Sequence, residues 1–213
     1  MFWAGRAIEE INKAERTYMG SFTMSPAEHE FLDMRVAQRL LRGGTNFYEL
    51  SPSAQFAEQT KEFGWELTKW FKRVRKERSN NFRYLLVAEK HDSPETSPEM
   101  KGRPHFHILI HEQQAGCLVH GSPSLALDTG RDGELEMRKV RGPNGVYTHA
   151  VYLTDDAFIR KQWQFGFTKF RYCFDAKSAY YVCKYLTSEM GARVRASNRY
   201  GKLLVGAPRS EGQ

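Results

Sequence analysis

The chain has 213 residues, 40% of them apolar, which is enough to bury a core and fits a single globular domain across residues 1–213. Lys and Arg number 32 against 25 acids, giving +7 and a pI near 9.3, a balance that favours polyanionic partners such as nucleic acid. Cys117, Cys173 and Cys183 show no Cys-x-x-Cys spacing, which speaks against a disulfide framework and a cysteine zinc site. No apolar run approaches the roughly 18 residues of a membrane span, and the opening residues lack the apolar core of a signal peptide. A soluble, cytoplasmic protein is the expectation.

In chain order, residues 8–16 read as a short polar helix, and 17–25 read as a strand, rich in aromatic and β-branched residues and ended by Pro26. Residues 28–41 have helical character, broken by Gly43 and Gly44. Ser51 and Pro52 open the strongest helix, in which Phe56, Phe63, Leu67, Trp70, Phe71 and Val74 recur near helical spacing. Its last turns carry Lys69, Lys72, Arg73, Arg75, Lys76 and Arg78. Such a run either complements the helix C-terminus on a solvated face or binds phosphate. Residues 82–89 form a mostly buried strand ending in Glu89, and 90–102, with two Ser-Pro pairs, form a loop.

That loop leads into a strand containing Arg103, Pro104, His105, Phe106, His107, Ile108, Leu109 and Ile110. Side chains on a strand alternate between faces, so His105 and His107 share one side while Phe106, Ile108 and Ile110 share the other. Two imidazoles about 6–7 Å apart along a strand can reach one cation. Antiparallel pairing with the preceding strand would bring Glu89 beside them and complete a donor set suited to a divalent ion; His91 has the same parity and is a spare candidate. The alternative for the pair is a half-exposed sheet face without a metal.

Residues 113–146 are rich in Gly, Ser and Asp and read as an insertion, with a hairpin of 134–140 against 146–153. Thr154, Asp155 and Asp156 start a short helix ending before Gly166, and 166–174 form another strand. Asp175 caps a helix over 176–190, followed by a basic tail, 191–213, with a last strand near 203–206. On that helix Tyr181 and Tyr185, four apart, share a face with Lys184 beside them, while Tyr180 and Cys183 point elsewhere. Tyrosines at this spacing serve core packing or, beside a metal, nucleophilic chemistry.

The order of these features resembles the HUH endonuclease superfamily, specifically the two-tyrosine rolling-circle replication initiators of small single-stranded DNA phages and related plasmids. Residues 17–26, with Phe22, Thr23, Met24, Ser25 and Pro26, look like its first motif. Gly102 through His107 look like the second, and Ala179 through Tyr185 like the third, with Trp163 and Gly166 also similar. Ser188 stands where relatives often carry a further lysine.

The resemblance covers most of the chain and implies an α+β fold, a central antiparallel sheet of about five strands with packed helices and an RRM-like palm. It further implies nicking of single-stranded origin DNA, with Mg2+ or Mn2+ held by His105, His107 and Glu89. Tyr181 and Tyr185 would be the nucleophiles, Lys184 would stabilise the phenolate, and Arg103, Lys72, Arg73 and Lys76 would contact DNA. The product would be a 5′-phosphotyrosine and a free 3′-hydroxyl. No P-loop occurs in the sequence, so a host helicase would unwind and a host polymerase would extend. Other readings are a single-tyrosine relaxase or transposase, a non-catalytic single-strand binder, and a structural zinc protein.

Overall fold

The computed structural model describes residues 2–77, 82–91, 98–114, 128–129, 135–136, 138–141, 147–150, 162–173, 177–188 and 193–202; over 128–150 and at 171–172, 178 and 185–188 it describes the backbone alone. Helix α1 (Phe2–Lys13) leads into strand β1 (Arg16–Met24), then α2 (Pro26–Leu41) and α3 (Pro52–Glu77). Strands β2 (Phe82–Lys90) and β3 (Pro104–Glu112) follow, then the short β4 (Asp128–Thr129), β5 (Leu135–Glu136), β6 (Arg138–Arg141) and β7 (Tyr147–Ala150). The chain continues through β8 (Gly166–Tyr172), α4 (Lys177–Ser188) and β9 (Val194–Ala196).

The main sheet is five-stranded in the order β8-β1-β3-β2-β9, antiparallel throughout, with helices packed on it, so the fold is α+β as the sequence implies. Hairpin strands β6 and β7 pair as expected, and β4 with β5 makes a further small ladder. Ser25, read as the last strand residue, instead caps α2: its hydroxyl accepts from the Glu28 N–H at 3.3 Å, with Pro26 at the first helical position, where its missing N–H costs nothing. Ser51 accepts from the Ala54 N–H at 3.3 Å and starts α3 the same way.

Two cores sandwich the sheet. On one side Phe22, Phe106, Ile108, Ile110 and Phe170 meet Leu32 of α2 and Phe63, Leu67, Trp70 and Val74 of α3. Aromatic edges lock this layer, with Phe22 4.9 Å from Trp70 and 5.0 Å from Trp163 between ring centroids. On the other side Met19, Leu85, Val87 and Leu109 meet Ala4 and Ala7 of α1 and Ala179, Val182 and Cys183 of α4. The second layer covers only one end of the sheet. Along β3 the residues from Ile108 to Glu112 are therefore buried on both faces, while His105 and His107 are half-buried between buried Pro104, Phe106 and Ile108.

Several boundaries differ from the sequence reading. Helix α1 spans Phe2–Lys13 rather than 8–16, because Ala4 and Ala7 supply the buried stripe and Arg16 is drawn into β1 by an ion pair with Glu112. Strand β9 has no counterpart in the sequence reading; its pairing with β2 and the Arg195 guanidinium, which donates to the Gly64 carbonyl at 2.8 Å, hold it in place. The short helix expected after Thr154, the Asp175 cap and the strand expected near 203–206 lie outside the described residues. No helix among the described residues is long and apolar enough to cross a membrane.

Candidate metal centre and tyrosine helix

Strands β2 and β3 run antiparallel in a register that puts Glu89 directly opposite His105, with His107 opposite Val87. Cross-strand partners share a face, so the strand-end acid lands beside both imidazoles. Glu89 Oε2 lies 2.6 Å from His107 Nε2 and 3.2 Å from His105 Nε2, and the two Nε2 atoms are 3.1 Å apart. Among the described residues, these three form the group of donors that converges closely enough to hold one ion.

The donor set fits a divalent cation. In an octahedron with metal–ligand bonds of about 2.1 Å, neighbouring donors sit about 3.0 Å apart, close to the separations seen. Three protein ligands leave positions open for substrate oxygens. Burial alone would raise the Glu89 carboxyl, but hydrogen bonds from His105 and His107, with their charges, bring it net below the ordinary value. Burial and then the neighbouring His105 lower the His107 imidazole, against the opposing pull of Glu89. Near neutral pH Glu89 is thus ionised and His107 neutral, the forms that bind metal.

Helix α4 brings Tyr181 to this cluster. Its buried stripe of Ala179, Val182 and Cys183 faces the sheet, which leaves Tyr181 at the boundary, 40% exposed. The Tyr181 ring stands perpendicular to the His107 ring, with centroids 6.1 Å apart. Lys184, one turn on, folds back with Nζ 4.5 Å from the Tyr181 ring centroid, so a cation sits over the phenol. Tyr180 is half-exposed and turned away, and Cys183 is buried with its thiol pushed up to about 11 by that burial, in line with the sequence reading. Tyr185 follows on the α4 backbone, but its side chain lies outside the described residues.

The other expected residues sit elsewhere. Arg103 forms an ion pair with Asp33 of α2, which also accepts from Gln59 Nε2 at 2.7 Å, so its guanidinium ties the start of β3 to the helical layer. Lys72, Arg73 and Lys76 belong to α3, which packs on the opposite face of the sheet from the cluster; Lys72 and Lys76 are exposed there, and Arg73 donates to the Gln162 carbonyl at 2.9 Å. The sheet therefore separates these three cations from the imidazoles. A charge run cannot reveal which side of a sheet its helix will cover. His91 lies beside His105, centroids 5.2 Å apart, outside the converging donors.

Sequence reasoning did not single out the pocket next to the cluster. It has a volume of about 250 Å³ and is lined by Met19, Gly20, Ser21, His107, Lys169, Phe170 and Tyr181. The alternation within 166–174 was a signal for Lys169, but only the register of β8 on β1 shows which face it shares.

Fold and cluster define a class: an antiparallel sheet sandwiched by helices, with a two-histidine, one-carboxylate cation site on its open end and a tyrosine from a later helix at its edge. The chain belongs to the Replication-associated protein ORF2 family, whose model matches residues 51–190 and so spans β2, β3 and α4. No curated protein and no solved structure matches the chain.

Proposed function

We propose that this protein initiates replication by nicking single-stranded DNA at an origin through a covalent tyrosine intermediate. The observation that carries this reading is the Tyr181 ring against His107 of a cluster whose three donors suit a divalent cation. Membership of a replication-associated family supports the same assignment.

Glu89, His105 and His107 would hold the cation, Mg2+ or Mn2+, which when bound supplies Lewis acidity and a template for a nonbridging oxygen of the scissile phosphate. The Tyr181 oxygen attacks phosphorus, the bond to the 3′ oxygen breaks, the phenol proton passes to solvent, and the departing oxygen is protonated to a 3′-hydroxyl. An ordinary phenol, with a pKa of about 10, is a weak nucleophile near neutrality. The Lys184 ammonium over its ring favours the phenolate and the charge that develops during attack. Tyr185 is the candidate for the second transfer that closes the circle. The 3′-hydroxyl then serves a host polymerase in the host cytoplasm, with a host helicase opening the duplex.

The test is incubation of the full chain with 5′- and 3′-labelled single-stranded origin DNA and Mn2+, followed by denaturing electrophoresis. A protein–DNA adduct that survives SDS and disappears in His107→Ala supports the reading. DNA cut without an adduct, or not cut at all, overturns it. Tyr185→Phe distinguishes the single-tyrosine alternative, in which cleavage and rejoining would both survive in that variant.

A further inference from the structure

We infer that the open face of edge strand β8 is a single-stranded DNA subsite, in which Lys169 contacts a phosphate flanking the scissile one and Phe167 stacks on the adjoining base. The inference rests on the nicking proposal for the position of the scissile phosphate. Ser21 of β1 is the register partner of both His107 on β3 and Lys169 on β8, so the three form one row across a single face. Two strand spacings of about 4.8 Å put the Lys169 backbone about 10 Å from that of His107. Phe167, opposite Thr23, lies one row further toward the open end and has the same parity as Lys169.

The two faces of β8 differ sharply. Phe170 is buried in the aromatic layer, whereas Phe167 is 66% exposed and Lys169 is exposed. Between Lys169 and the cluster lies the 250 Å³ pocket, floored by Met19, Gly20 and Ser21 and bounded by His107 and Tyr181. That is less than the roughly 300–1,000 Å³ of pockets that enclose a whole small ligand, and it suits one unit of a longer chain. Its lining includes a lysine and no acid, which suits a phosphodiester. An exposed ring next to a cation on a sheet face is the pairing by which proteins hold single strands, the ring taking a base and the cation the backbone.

The test is fluorescence anisotropy of a labelled single-stranded oligonucleotide with the full chain in EDTA, where no metal-dependent cleavage intervenes, over a series of salt concentrations. Phe167→Ala is expected to weaken binding about five-fold or more at every salt concentration, and Phe167→Trp to restore it. Lys169→Gln is expected to flatten the slope of log K against log salt by about 0.7, the value for one phosphate contact on a single strand. Phe31→Ala, an exposed ring on α2 in the opposite layer, should bind as wild type does. Wild-type affinity in both Phe167→Ala and Lys169→Gln overturns the inference, as does an equal loss in Phe31→Ala. An adduct that forms normally alongside unaffected binding removes this subsite and leaves the nicking proposal standing; a missing adduct alongside weakened Phe167→Ala binding does the reverse.

Discussion

Acid should weaken this fold through His111, and the amount follows from its surroundings. The residue is fully buried on the central strand, its Nδ1 3.0 Å from the Thr17 hydroxyl and its Nε2 2.6 Å from the hydroxyl of buried Tyr200. Burial, then the charge of Arg83, lowers its pKa from 6.5 to about 3. The neutral ring donates through one nitrogen and accepts through the other, and a proton would have to displace the Tyr200 O–H. Because the folded value lies below the unfolded one, the unfolded chain binds the extra proton between these limits. The stabilisation is complete above pH 6.5 and is lost as pH falls toward 3.

Over the 1.5 units from pH 6.5 to 5 the loss is about 2 kcal/mol, at about 1.4 kcal/mol per unit. For a chain of this size that corresponds to about 4–8 °C in Tm. His29, lowered to about 4 chiefly by burial, adds a similar acid sensitivity that is common to wild type and variant. Urea unfolding of wild type and His111→Gln at pH 7 and pH 5 isolates the His111 contribution, because the glutamine can bond both neighbours yet does not titrate. The stability gap between the two proteins should shift by about 2 kcal/mol in favour of the variant on acidification. A gap independent of pH would refute the assignment of a neutral, buried His111.

Three further outcomes are expected. Gly20→Ala should lower stability by about 1–3 kcal/mol in thermal melts, because its new Cβ would meet the Lys169 carbonyl and the Phe170 ring at 2.5 Å. Arg195→Ala should raise amide exchange across β9 and cost about 1–2 kcal/mol, since its guanidinium bonds the Gly64 carbonyl at 2.8 Å and reaches the Lys61 carbonyl at 3.4 Å. Glu89→Ala should cut Mn2+ affinity at least about ten-fold by calorimetric titration and abolish the Tm rise on adding metal, because a third of the donor set goes with it.

The centre of the sheet and the cation cluster were legible because they rest on short-range regularities. Period-two alternation placed His105 and His107 together, and the short excursion between β2 and β3 brought Glu89 opposite His105. Tyr181 was legible from helical spacing once α4 was recognised, since Ala179, Val182 and Cys183 had to face inward. What escaped depends on tertiary choices. Three residues, Val194–Ala196, become strand β9 only because β2 offers an edge and Arg195 finds the α3 carbonyls. The cations of α3 looked suited to phosphate, yet the apolar stripe of Phe63, Leu67 and Trp70 commits that helix to the layer across the sheet. Arg103 looked free to meet DNA, and its partner Asp33 lies 70 residues away in sequence.

Peptide mapping of the protein–DNA adduct addresses the central claim most directly. After reaction with single-stranded origin DNA and Mn2+, mass spectrometry of the digested adduct should find a nucleotide 5′-phosphate esterified to a tyrosine of Lys177–Ser188, with Tyr181 modified in the Tyr185→Phe background and no modification in His105→Ala or His107→Ala. A phosphate on a residue outside that helix, or undiminished modification without the imidazoles, would contradict the account.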